Sequence, residues 1–431
     1  MNENNQQTTS FGTESIAQES RQSWVKICFV WLGLLFAVST MMQGGIVGTQ
    51  LPLGKALLAI VCANTFLAAL TIAISFMGAD TGLGAFELLK YPFGIIGGKL
   101  VSLARTIVAL GWCGFGAILV INILALYIPF FATQTGVIIG GICINLFFGA
   151  TAWYSFKALA IITRIAIPAI CIIFLVAAIQ TERNFGIASL FMKEPTAPAS
   201  FTTAVAGMVF VWIDCCITGP NITRFSRSKK DTAIAVSAAF IVGATIIYAV
   251  SAILGAATGK DNIPDMFNVL GIAALAGVVI FLLEWTTSSE SFYHGALGFA
   301  SVFPIKRKSI LLLLAFITST AFTLFDLMTH FGTWVNLLGL IFCPVIGLMI
   351  TDYYCFKLKY QLPATSIQVK ISWSAVAAIA VGVFTNVSIP LYGGLLSIAT
   401  TAAAYFIINK YVLPDKILKQ AKTISSQTSE G

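Results

Sequence analysis

The chain has 431 residues, of which 58% are hydrophobic and only 10% are charged, and its mean hydropathy is +0.91. A soluble protein of this length cannot bury so much apolar surface, so the composition excludes a soluble globular protein and indicates one surrounded by lipid. The net charge is +8, but the sequence contains no basic soluble domain, which argues against nucleic-acid binding. The positive charge favours contact with anionic lipid headgroups.

The apolar stretches predict an all-α membrane protein with twelve transmembrane helices, since each run is about 18–25 residues long. In chain order the predicted spans lie near residues 26–48, 55–79, 98–126, 134–156, 160–181, 202–222, 233–256, 268–294, 309–326, 330–354, 371–387 and 389–411. They form one transmembrane domain over 23–411, between polar tails at 1–22 and 412–431. The first tail has no apolar core, so we expect no removable signal peptide.

The positive charges predict the orientation of these spans. If the N-terminus is cytoplasmic, the outer face carries only Lys55, Arg183, Lys193 and Lys260. The other 21 of the 25 lysines and arginines, including Arg105, then fall on the cytoplasmic face. Basic residues are enriched in cytoplasmic loops, so we expect both termini in the cytoplasm.

Two of the predicted spans carry residues that interrupt helices. They are Ser39, Thr40, Gln43, Gly44, Gly45 and Gly48 in the first span, and Asp214, Thr218, Gly219, Pro220 and Asn221 in the sixth. Interrupted helices at matching positions of two halves are typical of inverted repeats with a site near the bilayer midplane. The pattern predicts a five-plus-five repeat, about 26–181 and 202–355, followed by two extra helices at about 371–411. The alternative is that these residues only serve helix packing.

The eighth span contains the polar sequence FLLEWTTSSESFYHGALGF at 281–299. Thr286 and Thr287 offer hydroxyl oxygens suited to Na⁺, although membrane threonines commonly bond back to their own helix. Glu284 and Glu290 have no lysine or arginine within reach on the same helix, so each needs a distant partner, a water-filled cavity or a proton. Both are candidates for substrate or proton binding.

Two tryptophans are candidates for binding a flat ligand. Trp212 precedes the polar part of the sixth span, and Trp112 lies within the glycine-rich segment GWCGFG of the third. An indole offers a flat apolar face, and Asp214 near Trp212 would accept hydrogen bonds from N–H groups. The alternative for Trp112 is a helix-packing seam. Asp326 and Asp352, near span ends, are interpreted as solvated or capping carboxylates.

Several segments resemble the nucleobase–cation symporter-1 family, and its bacterial cytosine permeases in particular. In order they are FVWLGLLFAVSTMMQGG at 29–45, GADTGLGAFELLKYPFG at 78–94, GWCGFG at 111–116 and CPVIGLMITDYY at 343–354, with looser matches at 223–227 and 285–300. The resemblance implies a leucine-transporter-like fold in a bacterial inner membrane. It also implies a base held between Trp112 and Trp212. Sodium would be bound by the carbonyls of Ala37 and Leu283 and the hydroxyls of Thr286 and Thr287.

The chain departs from the cytosine permeases around the implied base. At positions where the cytosine permeases have Gln, Ser and Asn, this chain has Ala109, Asp214 and Ser288. Glu284 is a carboxylate that the cytosine permeases lack at the matching position. An acceptor-rich pocket would favour ligands with several N–H donors, such as guanine or adenine-like edges, or a cationic amine.

The sequence therefore predicts Na⁺-coupled uptake of a nucleobase (cytosine, a purine or a similar planar N-heterocycle) by alternating access. The substrate would be bound by Trp112, Trp212, Asp214, Glu284, Ser288 and Glu290. Coupling to H⁺, or uptake of a vitamin-related pyrimidine such as a thiamine precursor, is the alternative. We expect no enzyme activity, no cofactor beyond the coupling ion and no obligate protein partner.

Overall fold

The computed structural model describes residues 15–153, 156–305, 307–389, 392–414 and 416–429, with the side chains of 156–165 and 423–429 left out. Over these ranges the chain is helical and contains no β-strand. The helices are α1 Trp24–Leu35, α2 Val38–Gln50, α3 Leu53–Thr81, α4 Ala85–Leu88, α5 Lys90–Tyr127, α6 Gln134–Trp153, α7 Phe156–Phe185, α8 Ile187–Leu190, α9 Phe201–Thr223, α10 Lys229–Ser237, α11 Thr245–Thr258, α12 Ile263–Val269, α13 Ala273–Val302, α14 Lys308–Leu324, α15 Phe331–Cys355, α16 Trp373–Ser388, α17 Gly393–Ile407 and α18 Lys416–Ser429. A π-helical turn, Ala238–Ala244, joins α10 to α11.

Eight helical stretches in the described ranges are long and apolar enough to cross a membrane, and the bent pair α1 and α2 makes a ninth. The three other predicted spans coincide with α13, which carries the polar stripe, and with the shorter apolar helices α14 and α16. The predicted all-α membrane architecture is therefore confirmed, while the count of twelve spans stays a prediction.

The first span is interrupted, as predicted. Helices α1 and α2 meet at an angle of 64° across Phe36 and Ala37, and Ala37 has extended backbone angles. The hydroxyl of Thr40 donates to the carbonyl of Leu35 at 2.8 Å, which satisfies one of the acceptors that the break releases. The break thus leaves backbone groups without their helical hydrogen bonds in the interior of the protein, just before Ser39.

The glycines after this break serve helix packing. A Cβ at Gly44 would lie 2.7 Å from Cβ of Ser251, and one at Gly48 would overlap the backbone of Ala252. Both neighbours lie on α11, so the small residues allow α2 and α11 to pack backbone to backbone.

The predicted interruption of the sixth span is wrong, because α9 runs unbroken from Phe201 to Thr223. Pro220 lies in the last turn, where its ring costs one backbone hydrogen bond and ends the helix soon afterwards. Pro220 also contacts α3, since a Cβ at Gly78 would lie 2.7 Å from its Cα. Here too the small and cyclic residues serve a close helix contact.

Helices of the first predicted half pack against helices of the second half in matching pairs. Helix α2 packs on α11, α3 packs on α9, and α5 packs on α13. This exchange of first-half and second-half partners is what a two-fold relation between the halves requires. The residue bounds of the repeats remain a prediction.

Asp352 is fully buried, so its interpretation as a solvated or capping carboxylate is wrong. Its carboxylate forms an ion pair with Lys359, which is also fully buried. It accepts hydrogen bonds from the hydroxyls of Tyr360 at 2.7 Å and Tyr405 at 2.6 Å. Because Tyr405 lies on α17, this cluster fixes a trailing helix to the end of α15.

Lys359→Met should destabilise the protein by about 3–5 kcal/mol, because it leaves a buried carboxylate without its counter-charge. Thermal unfolding in detergent would measure the change. The double variant Lys359→Met with Asp352→Asn removes both charges and should recover a large part of the loss. Equal loss in the single and double variants would contradict the ion-pair explanation.

Candidate functional site

A small cavity lies where the break between α1 and α2 faces α5, α9 and α13. Its water-accessible volume is about 20 Å³, enough for about one water molecule. Five residues predicted from the sequence line it: Ala37, Trp112, Trp212, Glu284 and Thr287. The other lining residues include Ser39, Arg105, Phe115, Cys215 and Ser291. Three helices and the break between α1 and α2 thus bring the predicted residues together around a cavity that is closed in this conformation.

A larger vestibule of about 570 Å³ opens beside the far end of α2, on the side opposite the start of α1. Gln43, Phe210 and Phe331 are among the residues that line it. The ring of Phe331 is also 6.3 Å from the ring of Trp112. Phe331 therefore borders both the vestibule and the aromatic wall of the small cavity.

Trp112 is held in an aromatic cluster. Its ring meets Phe115 edge-on at 5.6 Å and Trp334 at 6.2 Å with an interplanar angle of 85°. A Cβ at Gly111 would lie 2.8 Å from the Trp334 ring, so the glycine beside Trp112 leaves room for that contact. Trp112 is packed by other rings and still lines the cavity, which is the arrangement a stacking platform needs.

Trp212 forms another part of the wall. The residue is only 4% exposed, and its Nε1 has no hydrogen-bond partner in the described ranges. A buried indole N–H commonly finds an acceptor. Trp212 lines the cavity, and its flat ring is suited to stack on an aromatic ligand.

Glu284 gives the cavity a carboxylate. It is 3% exposed, and Oε2 accepts a hydrogen bond from the hydroxyl of Ser288 at 3.0 Å. Ser288 does not line the cavity itself and acts on it through Glu284. The described residues give Glu284 no lysine or arginine ion pair. This carboxylate is therefore available to accept N–H groups of a ligand.

Gly116→Ala should weaken ligand binding by about tenfold or more, because an added methyl overlaps the Glu284 carboxylate and lies 2.8 Å from Oγ of Ser288. Titration calorimetry of the purified protein would measure the affinity. Gly54→Ala is the matched control, since its added Cβ meets only Cδ1 of Phe191 at 3.9 Å. Unchanged affinity in Gly116→Ala would show that Glu284 is not needed in its present position.

The two adjacent threonines of α13 behave differently. The hydroxyl of Thr287 donates to the carbonyl of Phe36 at 3.3 Å, so it reaches the break between α1 and α2. The hydroxyl of Thr286 donates to the carbonyl of Leu283 at 2.9 Å, within its own helix. Neutral hydroxyl and carbonyl oxygens beside an open helix break are hard ligands of the kind Na⁺ takes in such folds. Of the four predicted Na⁺ ligands, Ala37 and Thr287 line the cavity, whereas Leu283 and Thr286 do not.

Asp214 has a partner that the sequence interpretation missed. Oδ2 of Asp214 lies 3.3 Å from Nε of Arg105, and both side chains are almost completely buried. Arg105 is therefore an interior residue of α5, and its assignment to the cytoplasmic face is wrong. The sequence could have indicated an interior position for Arg105, since Arg105 lies inside the predicted third span and shares a helix face with Trp112, two turns further along.

Glu290 lies outside the cavity wall. It is 6% exposed and forms no ion pair with the described residues. It lies on the same face of α13 as Thr286 and Thr287, one turn further along. A buried carboxylate without a basic partner is unusual at membrane depth and is commonly functional.

Comparison with solved structures gives the fold. The first match is Mhp1, a nucleobase-cation-symport-1 family transporter, in a closed conformation with bromovinylhydantoin bound. It has a TM-score of 0.81 at 16% identity, covering 96% of this chain and 99% of that one. The inward-facing conformation of Mhp1 matches with a TM-score of 0.78 at 17% identity, covering 95% and 96% of the two chains. A Na⁺-coupled sialic acid symporter in an outward-open state matches at 0.67 and 14% identity, covering 94% and 92%. The fold is of the leucine-transporter type, as the sequence predicted.

Sequence comparison gives the family. The cytosine permeases of Escherichia coli K12 and O157:H7 are each 28% identical over 412 residues, which cover 94% of this chain and 95% of theirs. Residues 15–412 match the family of permeases for cytosine/purines, uracil, thiamine and allantoin, and the chain belongs to this family. The resemblance seen in the sequence is confirmed.

Proposed function

We propose that this protein takes up a nucleobase or a similar planar N-heterocycle and couples that uptake to Na⁺. The observation that carries the proposal is the convergence of Trp112, Trp212, Glu284 and Thr287 on one cavity beside the break of the first span. The cytosine permeases to which the chain is similar support the choice of substrate class.

The binding step follows from the chemistry of these groups. The two indoles stack on the faces of the heterocycle, which is worth about 1–3 kcal/mol per stacked base. Glu284 accepts hydrogen bonds from N–H groups at the edge of the ligand, and Asp214 and Ser288 support the polar side of the site. Because Ser288 holds Oε2 of Glu284, the carboxylate keeps a fixed direction.

The coupling step depends on the bond between Thr287 and Phe36. A sodium ion held by the carbonyls of Ala37 and Leu283 and the hydroxyls of Thr286 and Thr287 would join α13 to the break. It would thereby favour the conformation in which the cavity opens to the vestibule. The ligand would then bind between the helices, and the protein would close around it.

Proton coupling is the second candidate for the driving ion. Glu284 and Glu290 are both buried, and neither has a basic partner among the described residues. A carboxylate in such surroundings can carry a proton across the membrane. Coupling through either residue would leave uptake unchanged when Na⁺ is replaced at constant pH.

The proposed setting is a bacterial inner membrane with both termini in the cytoplasm. In that orientation the vestibule beside α2 faces the outside, and a substrate would enter past Phe331. No enzymatic step and no obligate protein partner enter this proposal. Vitamin-related pyrimidines remain the alternative substrates, because Glu284 would also accept N–H groups from an aminopyrimidine.

Uptake into proteoliposomes tests the proposal. Labelled cytosine and hypoxanthine would be offered with an inward Na⁺ gradient, and with choline in place of Na⁺ at the same pH and ionic strength. We expect accumulation of at least one base that depends on the Na⁺ gradient. Equal accumulation in choline would eliminate sodium coupling, and no accumulation of any base would eliminate nucleobase transport.

A further inference from the structure

Arg105 brings an incompletely used hydrogen-bond donor to the cavity. Its Nε donates to the backbone carbonyl of Asp214 at 3.0 Å, and its Nη2 makes long contacts to Oγ1 of Thr218 at 3.5 Å and Sγ of Cys215 at 3.6 Å. Its Nη1 is buried and has no hydrogen-bond partner in the described ranges. A guanidinium carries five N–H donors, so part of this group is unsatisfied in the closed protein.

The unsatisfied donor belongs to a residue of the cavity wall. Arg105 lines the same cavity as Trp112, Trp212 and Glu284, and the residue itself is only 2% exposed. A buried charged donor without an acceptor costs free energy, and a ligand that provides the acceptor recovers that cost. A heterocycle between the two indoles is the group placed to provide it.

We propose that Arg105 is a specificity-determining residue, which donates through Nη1 to a carbonyl oxygen of the transported heterocycle while Glu284 accepts from a neighbouring N–H. A carbonyl oxygen has two lone pairs and accepts an N–H of Nη1 over a wide range of directions, whereas a ring nitrogen has one lone pair in the plane of the ring. This inference rests on the proposed function and names its substrate class, an oxo-substituted heterocycle with a ring N–H beside the carbonyl.

The proposal narrows the range of ligands that the carboxylates alone allow. Cytosine, uracil, hypoxanthine and guanine carry the required carbonyl and N–H. Adenine and aminopyrimidines without an oxo group lack the carbonyl and offer Nη1 of Arg105 only a ring nitrogen with a single lone pair, so we expect them to bind more weakly.

Two matched pairs of compounds test the proposal with the full-length purified protein in Na⁺ buffer. Hypoxanthine and adenine differ at C6 and the adjacent ring nitrogen, and cytosine and 4-aminopyrimidine differ by the oxo group and its ring N–H. Titration calorimetry gives the four dissociation constants. We expect the oxo compound of each pair to bind at least about tenfold more tightly.

Two variants connect this preference to Arg105. Arg105→Lys keeps a positive charge beside Asp214 but loses the forked donor geometry. The double variant Arg105→Gln with Asp214→Asn removes both charges of the pair, so neither partner is left buried without its counter-charge. In either variant the ratio of affinities within each pair should fall by about tenfold, while thermal unfolding confirms a folded protein.

Arg21→Gln is the matched control, because Arg21 lies before α1 and donates to the carbonyl of Ala79, outside the cavity. It should leave both affinity ratios unchanged. Adenine that binds as tightly as hypoxanthine to the wild type, or unchanged ratios in the folded Arg105 variants, would overturn the proposal. Failure of all four compounds to bind would instead count against nucleobase transport itself.

Discussion

Trp112→Ala and Trp212→Ala should each weaken nucleobase binding by about 1–3 kcal/mol, which is roughly a 5- to 150-fold rise in the dissociation constant. Each indole lines the cavity and offers a flat face to the ligand. The loss should come mainly from stacking area, so it should be similar for purines and pyrimidines. Titration calorimetry with the base that the protein transports would measure it.

Trp373→Ala is the matched control for both variants. Trp373 begins α16 and is 67% exposed, so it belongs to the outer surface and not to the cavity. Its replacement should leave the dissociation constant unchanged. Wild-type affinity in both cavity variants would remove the indoles from the binding site, and equal losses in all three would indicate a general effect on the fold.

Thr287→Val should raise the Na⁺ concentration for half-maximal uptake by about tenfold, because it removes one of the proposed oxygen ligands while keeping the shape of the side chain. The hydroxyl of Thr287 is also the group that joins α13 to the carbonyl of Phe36 at the helix break. Uptake at saturating Na⁺ should therefore recover only in part. Initial rates in proteoliposomes over a range of Na⁺ concentrations would measure both effects.

Thr318→Val provides the comparison for this variant. Its hydroxyl bonds to the carbonyl of Leu314 within α14, so it makes the ordinary contact of a membrane threonine. The Na⁺ dependence should be unchanged there. An unchanged Na⁺ dependence in Thr287→Val as well would exclude Thr287 as an ion ligand.

The sequence predicted the features that depend on local composition. The polar residues of α13 were identified as candidates because they lie in an apolar segment. Helical spacing alone did not decide which of them faces the cavity, and the structure places Glu284 and Thr287 there. The break in the first span was also predicted, although it occurs at Phe36 and Ala37, before the glycines. Those glycines pack against α11, so the same residues that indicate a break also serve a helix contact.

The sequence interpretation failed where two distant residues meet. The pairs Arg105 with Asp214 and Lys359 with Asp352 are buried ion pairs, and in each case at least one residue was interpreted as part of a solvated surface. A charge near the predicted end of a span is usually solvated, and only the packing of other helices over it decides otherwise. Helical phase with Trp112 could have identified Arg105, but not its partner.

The unbroken course of α9 has a similar explanation. Gly219 and Pro220 lower helix propensity, yet they lie within the last turn of the helix, where few backbone bonds depend on them. Their contact with α3 stabilises the helix end. Of the two predicted breaks, this chain therefore has only the first in this conformation.

Binding of the heterocycle at different Na⁺ concentrations tests the central claim most directly, because the proposed ligand site and cation site share one helix break. By thermodynamic linkage, an ion that favours the binding-competent state must raise the affinity of the protein for the ligand. The ligand must raise the affinity for the ion by the same factor. We predict that the dissociation constant of a transported base, measured by calorimetry, rises at least about tenfold when choline replaces Na⁺ at constant pH and ionic strength. The same dissociation constant in both buffers would contradict the account.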